Sequence, residues 1–247
     1  MELTGIVFVT HDVDDDAVDE WCEWYDLEHL PEYVALPGVI GARRYIATPE
    51  LHALRGPNAV DAFADGRSTF LTIYDLCSDD IASTWQLMLS ETKRWADDGR
   101  RFDPERARAR HVEVFRFDWA QAAPGLRASL ESVPHASRVG VQAALGEVPD
   151  ETMRPIVADW YRDMHAPDML AVRGVFGALR FSSVDNVARH LVLFLLDNEP
   201  AEVLRDVRRA VADWRATGRT PAPGNASRSV FNGPFRTLAP LGRRGIW

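Results

Sequence analysis

Two stretches of this chain place a tyrosine and a histidine four residues apart, ahead of a proline. Trp21, Tyr25 and His29 follow one another at intervals of four. Tyr161 and His165 repeat the last two, with Val157 at the tryptophan's place. On a helix, residues four apart share a face. A neutral imidazole can take a proton near neutral pH, and a phenol can donate a hydrogen bond or a proton. Tyr25 with His29, and Tyr161 with His165, therefore have the make-up of an acid–base pair. The histidine would shuttle the proton, titrating near working pH, and the tyrosine would assist. Pro31 and Pro167 follow two residues later. Each removes a backbone donor and bends the helix beside the histidine, which tilts the ring toward a cavity. Arg44 and Arg180 come on the strand after each helix and can hold an enolate or a carboxylate. Trp24 and Trp160 are candidate pocket walls. Glu28, beside His29, is a substrate contact or base special to the first stretch, because Met164 replaces it in the second. The same residues also suit a plain packing role. In that alternative the histidines are satisfied core groups, the tryptophans are core, Glu28 is surface charge, and Arg44 and Arg180 pair with Glu32 and Asp168.

Other chemistries find little purchase. His11, His52, His111, His135 and His190 have no ligand spacing and read as ordinary surface or strand residues, so no metal site is expected. No dinucleotide fingerprint, phosphate loop or serine elbow occurs. Asp14–Asp16 lack the rest of a calcium loop. No cofactor is therefore expected.

The elements that must position these residues occur twice. Glu23–Tyr45 aligns without a gap on Asp159–Phe181 at a constant offset of 136, with ten of 23 positions identical. The first copy reads as strand Leu3–Thr10, helix from about Ala17 to Leu36, strand Val39–Ala47, strand Thr69–Leu76, helix Ile81–Asp97 and strand Val112–Phe117. Asp14–Asp16 and Asp79–Asp80 sit where the helices begin, and Pro37-Gly38 and Gly99 where they end. The second copy reads as strand Arg138–Ala144, helix Glu151–Ala171, strands Val175–Ser182 and His190–Leu196, helix Ala201–Ala216 and strand Ser229–Phe235. The order βαββαβ is the ferredoxin-like unit, so the fold class is α+β. The units span residues 1–119 and 137–247, joined by an Ala/Pro/Ser-rich linker over 120–136. Between its second and third strands the first copy has a long segment, Thr48–Arg67, where the second has a short turn. Such a segment is a lid, able to close over the first pocket, or a tolerated surface insertion.

Composition sets the outer limits. Of the 247 residues 46% are hydrophobic and 26% charged, the balance of a globular protein with a core. A formal net charge of −9 disfavours a phosphate backbone as partner. No apolar run is long enough for a membrane span, and the N-terminus lacks signal-peptide features. The two cysteines, Cys22 and Cys77, suit a reducing compartment. A cytoplasmic protein is expected, either a monomer with pseudo-twofold symmetry or a homodimer. Eight tryptophans, several on the helices, can line a core or a pocket.

At the motif itself, Trp24-Tyr25-Asp26-Leu27-Glu28-His29-Leu30-Pro31-Glu32 followed by Pro37-Gly38-Val39 and Arg43-Arg44-Tyr45, the chain resembles the dimeric α/β-barrel superfamily, and within it the EthD-like proteins. The resemblance covers both copies. It implies two ferredoxin-like sheets packed as a barrel within one chain, each with a pocket between helices and sheet. Barrels of this kind include muconolactone isomerases, polyketide cyclases, cofactor-free monooxygenases, and haem-binding peroxidases and dismutases. Residues and resemblance together suggest a cofactor-independent isomerase, cyclase or lyase acting on a small, mostly apolar aromatic or lactone-like substrate. The alternatives are a cofactor-free monooxygenase, a haem-binding barrel enzyme, or a small-molecule-binding accessory protein.

Overall fold

The structure is a computed structural model that describes residues 2–56, 61–64 and 66–241. The first unit comprises β1 (Gly5–Val13), α1 (Val18–Trp24), α2 (Leu30–Val34), β2 (Val39–Ile46), α3 (Pro49–Ala53), β3 (Phe70–Leu76), α4 (Ile81–Asp97) and β4 (Ala107–Ala122). The second comprises β5 (Gly140–Glu147), α5 (Arg154–Trp160), α6 (Ala166–Leu170), β6 (Val175–Ser183), β7 (Arg189–Leu196), α7 (Pro200–Ala216) and β8 (Arg228–Thr237). The eight strands close a barrel in the order β1-β3-β2-β8-β5-β7-β6-β4. Each unit thus contributes four antiparallel strands, and the expected pair of ferredoxin-like βαββαβ units within one chain is what the fold contains. The seam between β4 and β6 is long, from Phe115 against Ser183 to Ala122 against Gly177. The opposite seam joins β2 to β8 only at Tyr45–Ile46.

Strand alternation divides the core into layers. Ile6 and Phe8 of β1 face the barrel interior with Phe115, Leu191, Leu193, Phe231 and Phe235. Val7 and Val9, between and after them, face the helices with Tyr33, Tyr74, Met88 and Trp95. Both faces of β1 are covered, which is why its sequence is an unbroken apolar run.

The two units repeat each other's contacts. Trp24 Nε1 donates to the Arg100 carbonyl and Trp160 Nε1 to the Arg219 carbonyl, both at 2.9 Å. Glu32 pairs with Arg100, and Asp168 with Arg219. Gly38 and Gly174 take φ of +86° and +93° where each helix turns into its strand. A Cβ at Gly38 would meet Thr84 at 2.9 Å, and one at Gly174 would meet Val203 at 2.6 Å, so glycine is needed at both for conformation and for space.

Three details depart from expectation. The helices expected over Ala17–Leu36 and Glu151–Ala171 are each interrupted by a π turn. The strand β4 is much longer than Val112–Phe117 and runs into the segment expected as a linker, within which Val133 is wholly buried in the barrel core. None of the described residues of segment 48–67 lines the first pocket, as a lid over it would. Pro57–Val60 and Asp65 lie outside the described residues. The remainder forms α3 and buries Leu51 and Phe63 in the barrel core, with Phe63 stacked on Phe231 at 4.5 Å. The Gly56 amide donates to the Asn232 carbonyl of β8. The segment therefore closes the barrel interior beside β8. Among the described residues no helix is long and apolar enough to cross a membrane.

Candidate functional site

The motif falls on the π turns. In the first unit Tyr25–His29 form one wide turn between α1 and α2, closed by the Leu30 amide donating to the Tyr25 carbonyl five residues back. Tyr161–His165 do the same, with Ala166 donating to Tyr161. The next residue in each case is proline, which lacks an amide hydrogen and whose ring would strike the carbonyl four residues back in a regular α-helix. Widening the turn relieves that clash. Such π turns recur at functional sites.

The wide turn also straightens a column of rings. Each four-residue step on an α-helix drifts about 40° around the axis, and a wider turn offsets the drift. Trp21 and Tyr25 have ring centroids 4.8 Å apart, Tyr25 and His29 4.7 Å, and His29 and Tyr33 4.7 Å. Trp24 stacks on His29 at 4.6 Å. This column forms one wall of a cavity of about 340 Å³. The outward faces of β1, β3 and β4 supply a second wall, including Val9, His11 and Tyr74, and α4 supplies a third with Trp85, Met88 and Trp95. That volume lies at the small end of the range for ligand pockets.

The imidazoles and phenols facing this chamber are held neutral. Burial lowers the His29 pKa to about 3, with further lowering from His11, Arg44 and Arg101. Burial, and then the charge of Arg44, lowers His11 to about 4 against a small opposing effect of Asp12. Burial raises Tyr25 despite its hydrogen bond with Tyr74, raises Tyr33 to about 12, and raises Tyr74 well above the usual phenol value. The Tyr25 and Tyr74 hydroxyls share a hydrogen bond of 2.8 Å. Burial thus moves the imidazole below the neutral range expected from the sequence, because a ring flanked by aromatic side chains solvates a charge poorly.

The other expected site residues are placed as follows. Trp24 lines the chamber. Arg44 does not line it. Its guanidinium is buried at 4.5 Å over the Tyr25 ring, pairs with Asp26 at 2.5 Å and donates to Cys22. Arg180 pairs with Asp118, which is also held by the Ser182 hydroxyl. The ionic partners are therefore Asp26 and Asp118, whereas Glu32 and Asp168 hold Arg100 and Arg219. Glu28 is exposed and borders an outer depression, not the chamber. In the second unit His165 stacks on Trp160 at 4.7 Å and meets Tyr161, Phe194 and Trp214 edge-on. The rings around it belong to a hydrophobic cluster that includes Met169, Leu204, Val207 and Ala222. Burial lowers His165 to about 4 and raises Tyr161 to about 12.

Three of the chamber's tyrosines and histidines were not singled out as site residues from the sequence. Tyr33 continues the four-residue spacing of Trp21, Tyr25 and His29, and that spacing could have found it. His11 and Tyr74 sit on strand faces that the sequence leaves undecided. Among the described residues no group of three histidine, cysteine, aspartate or glutamate side chains is placed to hold a metal ion.

No protein-family model and no curated protein matches the sequence. Solved structures do match its shape. A dye-decolorizing peroxidase from Bacteroides thetaiotaomicron superposes with a TM-score of 0.60 at 9% identity, covering 98% of this chain and 95% of that one. A mutant chlorite dismutase from Candidatus Nitrospira defluvii, in complex with cyanide, gives 0.55 at 14% identity, covering 98% and 92%. A candidate monooxygenase from Fusobacterium nucleatum gives 0.53 at 10% identity, covering 97% and 94%. At these identities the likeness is one of fold: the chain is a dimeric α/β barrel built from two ferredoxin-like units.

Proposed function

We propose that the protein is a cofactor-independent enzyme that moves a proton on a small aromatic substrate held in the first unit's chamber. The observation that carries this reading is the convergence of two neutral imidazoles, His11 and His29, and a hydrogen-bonded phenol pair, Tyr25 and Tyr74, on one apolar cavity. In this scheme the aromatic walls take the substrate's ring. His29 accepts a proton from a carbon or hydroxyl made acidic by a neighbouring carbonyl. The Tyr25–Tyr74 pair donates a hydrogen bond to the oxyanion that develops. An isolated imidazolium is costly here, but it forms together with the substrate anion, and the two stabilise each other in a site of low dielectric. Arg44 acts through Tyr25, holding its ring from behind and keeping the imidazoles uncharged until substrate supplies the counter-charge. Proton abstraction of this kind serves an isomerase, cyclase or lyase. It is also the step that readies an electron-rich substrate for oxygen, so the monooxygenase alternative would use the same chamber.

A haem fits poorly. An axial imidazole needs a ring nitrogen facing open space wide enough for a flat macrocycle. His29 borders a chamber of about 340 Å³, room for a small aromatic and not for a macrocycle, and His165 is ringed by Trp160, Tyr161, Phe194 and Trp214. The repeated contacts of the two units support an origin by internal duplication, with units over 1–119 and 137–247, and the helix motif supports kinship with EthD-like proteins. The proposal includes action in the cytoplasm, on a small molecule and not on nucleic acid.

Phenylacetone, an aromatic ketone with an acidic C–H, should exchange that hydrogen with deuterated water in the presence of the protein, followed by proton NMR. The exchange rate should be flat from about pH 6 to 9, because the base is already in its neutral form there. Binding by calorimetry without exchange would count against the enzyme and favour an accessory protein. A rate that rises through a pKa near 6.5 would remove His29 as the base.

A further inference from the structure

We propose that the chamber receives an aromatic anion, with its ring inside and its carboxylate at the mouth on the guanidinium of Arg101. This inference rests on the chamber being a small-molecule site. Its lining is aromatic and aliphatic except for Thr92, the neutral His11 and His29, and two arginines. Arg100 is already paired with Glu32. Arg101 forms no ion pair or hydrogen bond among the described residues, yet it lines the chamber and also borders the polar depression outside it. The backbone fixes its place. Gly99 turns the chain at φ of +72°, the Arg100 amide donates to the Trp95 carbonyl at 2.8 Å, and the Arg100 carbonyl accepts from Trp24. The residue one on is thus set at the mouth, its guanidinium exposed and bound to no carboxylate among the described residues. A planar guanidinium there matches a carboxylate in shape and charge.

The acidic groups of the outer depression bear on the sign of the ligand. Glu20 pairs with Arg106, Asp103 accepts from the Glu105 amide, and Glu23 has an interaction of its own within the chain. Glu28 is exposed on the outer side and acts on Arg100. These groups disfavour a dianion and leave a single carboxylate, placed where chamber and depression meet, as the matching ligand. In the second unit Arg219 occupies the place of Arg100, and the following residue is Thr220, so the anion site belongs to the first unit.

The test is calorimetric titration with a naphthalene carboxylate, its carboxamide and the corresponding aminomethyl compound, on the wild type, Arg101→Gln and Glu28→Gln. The carboxylate should bind about tenfold more tightly than the carboxamide, the difference one charge-assisted pair supplies. Arg101→Gln should erase that preference and leave the carboxamide unchanged. The idea is overturned if Arg101→Gln keeps the preference, if no probe binds, or if the amine binds best and Glu28→Gln abolishes its advantage. A carboxylate preference without phenylacetone exchange would sink the enzyme reading alone. Exchange without the preference would sink this one alone.

Discussion

His29→Ala is expected to slow phenylacetone exchange by about 10²-fold or more while the protein stays folded, the loss typical of removing a general base. His165→Ala is expected to do the reverse, leaving exchange intact and lowering stability by about 3 kcal/mol, the scale for truncating a buried ring. The difference lies in the surroundings. His29 borders an open chamber, so truncation enlarges a space that already exists. His165 lies flat on Trp160 with Tyr161, Phe194 and Trp214 edge-on around it, so truncation strips a contact from each of four rings. The motif is the same in both units, but the residues around it diverge. Tyr33 becomes Met169, and the strand position of Tyr74 is taken by Phe194, each pairing with the equivalent alanine of its neighbouring strand. The second unit therefore keeps the imidazole and one phenol, Tyr161, and lacks the counterparts of Tyr33 and Tyr74. Thermal melts and exchange rates of the two single variants check this. Equal losses of exchange, or a dominant effect of His165, would move the chemistry to the second unit. Loss of stability in both variants with exchange preserved would leave the histidines structural.

The parts of this arrangement that were legible in the sequence depend on local spacing. The four-residue interval of Tyr25 and His29 fixes a shared face whatever the tertiary fold. The constant offset between copies gives both units at once, and the prolines mark where the helix must deform. What stayed hidden depends on residues far apart in the chain. The β1 run is apolar on both faces, so nothing in it says that Val7, Val9 and His11 face helices while Ile6 and Phe8 face the barrel. The Arg180 carboxylate comes from Asp118, 62 residues away across the β4–β6 seam. Segment 48–67 shows no periodicity because its buried side chains, Leu51 and Phe63, are isolated plugs and not a stripe along one element. The imidazole pKa values are set by desolvation, which spacing does not encode.

Acidification below about pH 6 is expected to destabilise the native protein steeply. Burial holds His11 and His165 at about 4 and His29 and His190 at about 3, whereas in the unfolded chain each titrates near 6.5. Between those limits the unfolded state binds more protons than the native one, so stability rises with pH through this window and is lost as pH falls from 6.5 toward 4. Each histidine contributes about 1.4 kcal/mol per pH unit. Four together reach about 5.5 kcal/mol per unit, against a total stability of about 5–15 kcal/mol for a typical fold. Glu113 and Glu147 are lowered by their hydrogen-bond and ionic partners and add their loss at still lower pH, whereas Asp75, raised chiefly by burial, opposes the trend. Urea unfolding midpoints between about pH 7.5 and 4.5 measure the slope. His190→Phe isolates one contribution. Phe70 already occupies the equivalent strand position in the first unit, facing His11, whereas His190 faces Gly146 and leaves its Nε2 without a partner. The variant should flatten the slope by about one proton and gain stability on the acid side relative to wild type. A wild-type stability that stays level from pH 7 to 5, or a His190→Phe slope equal to wild type, would show that these rings are not held neutral by burial.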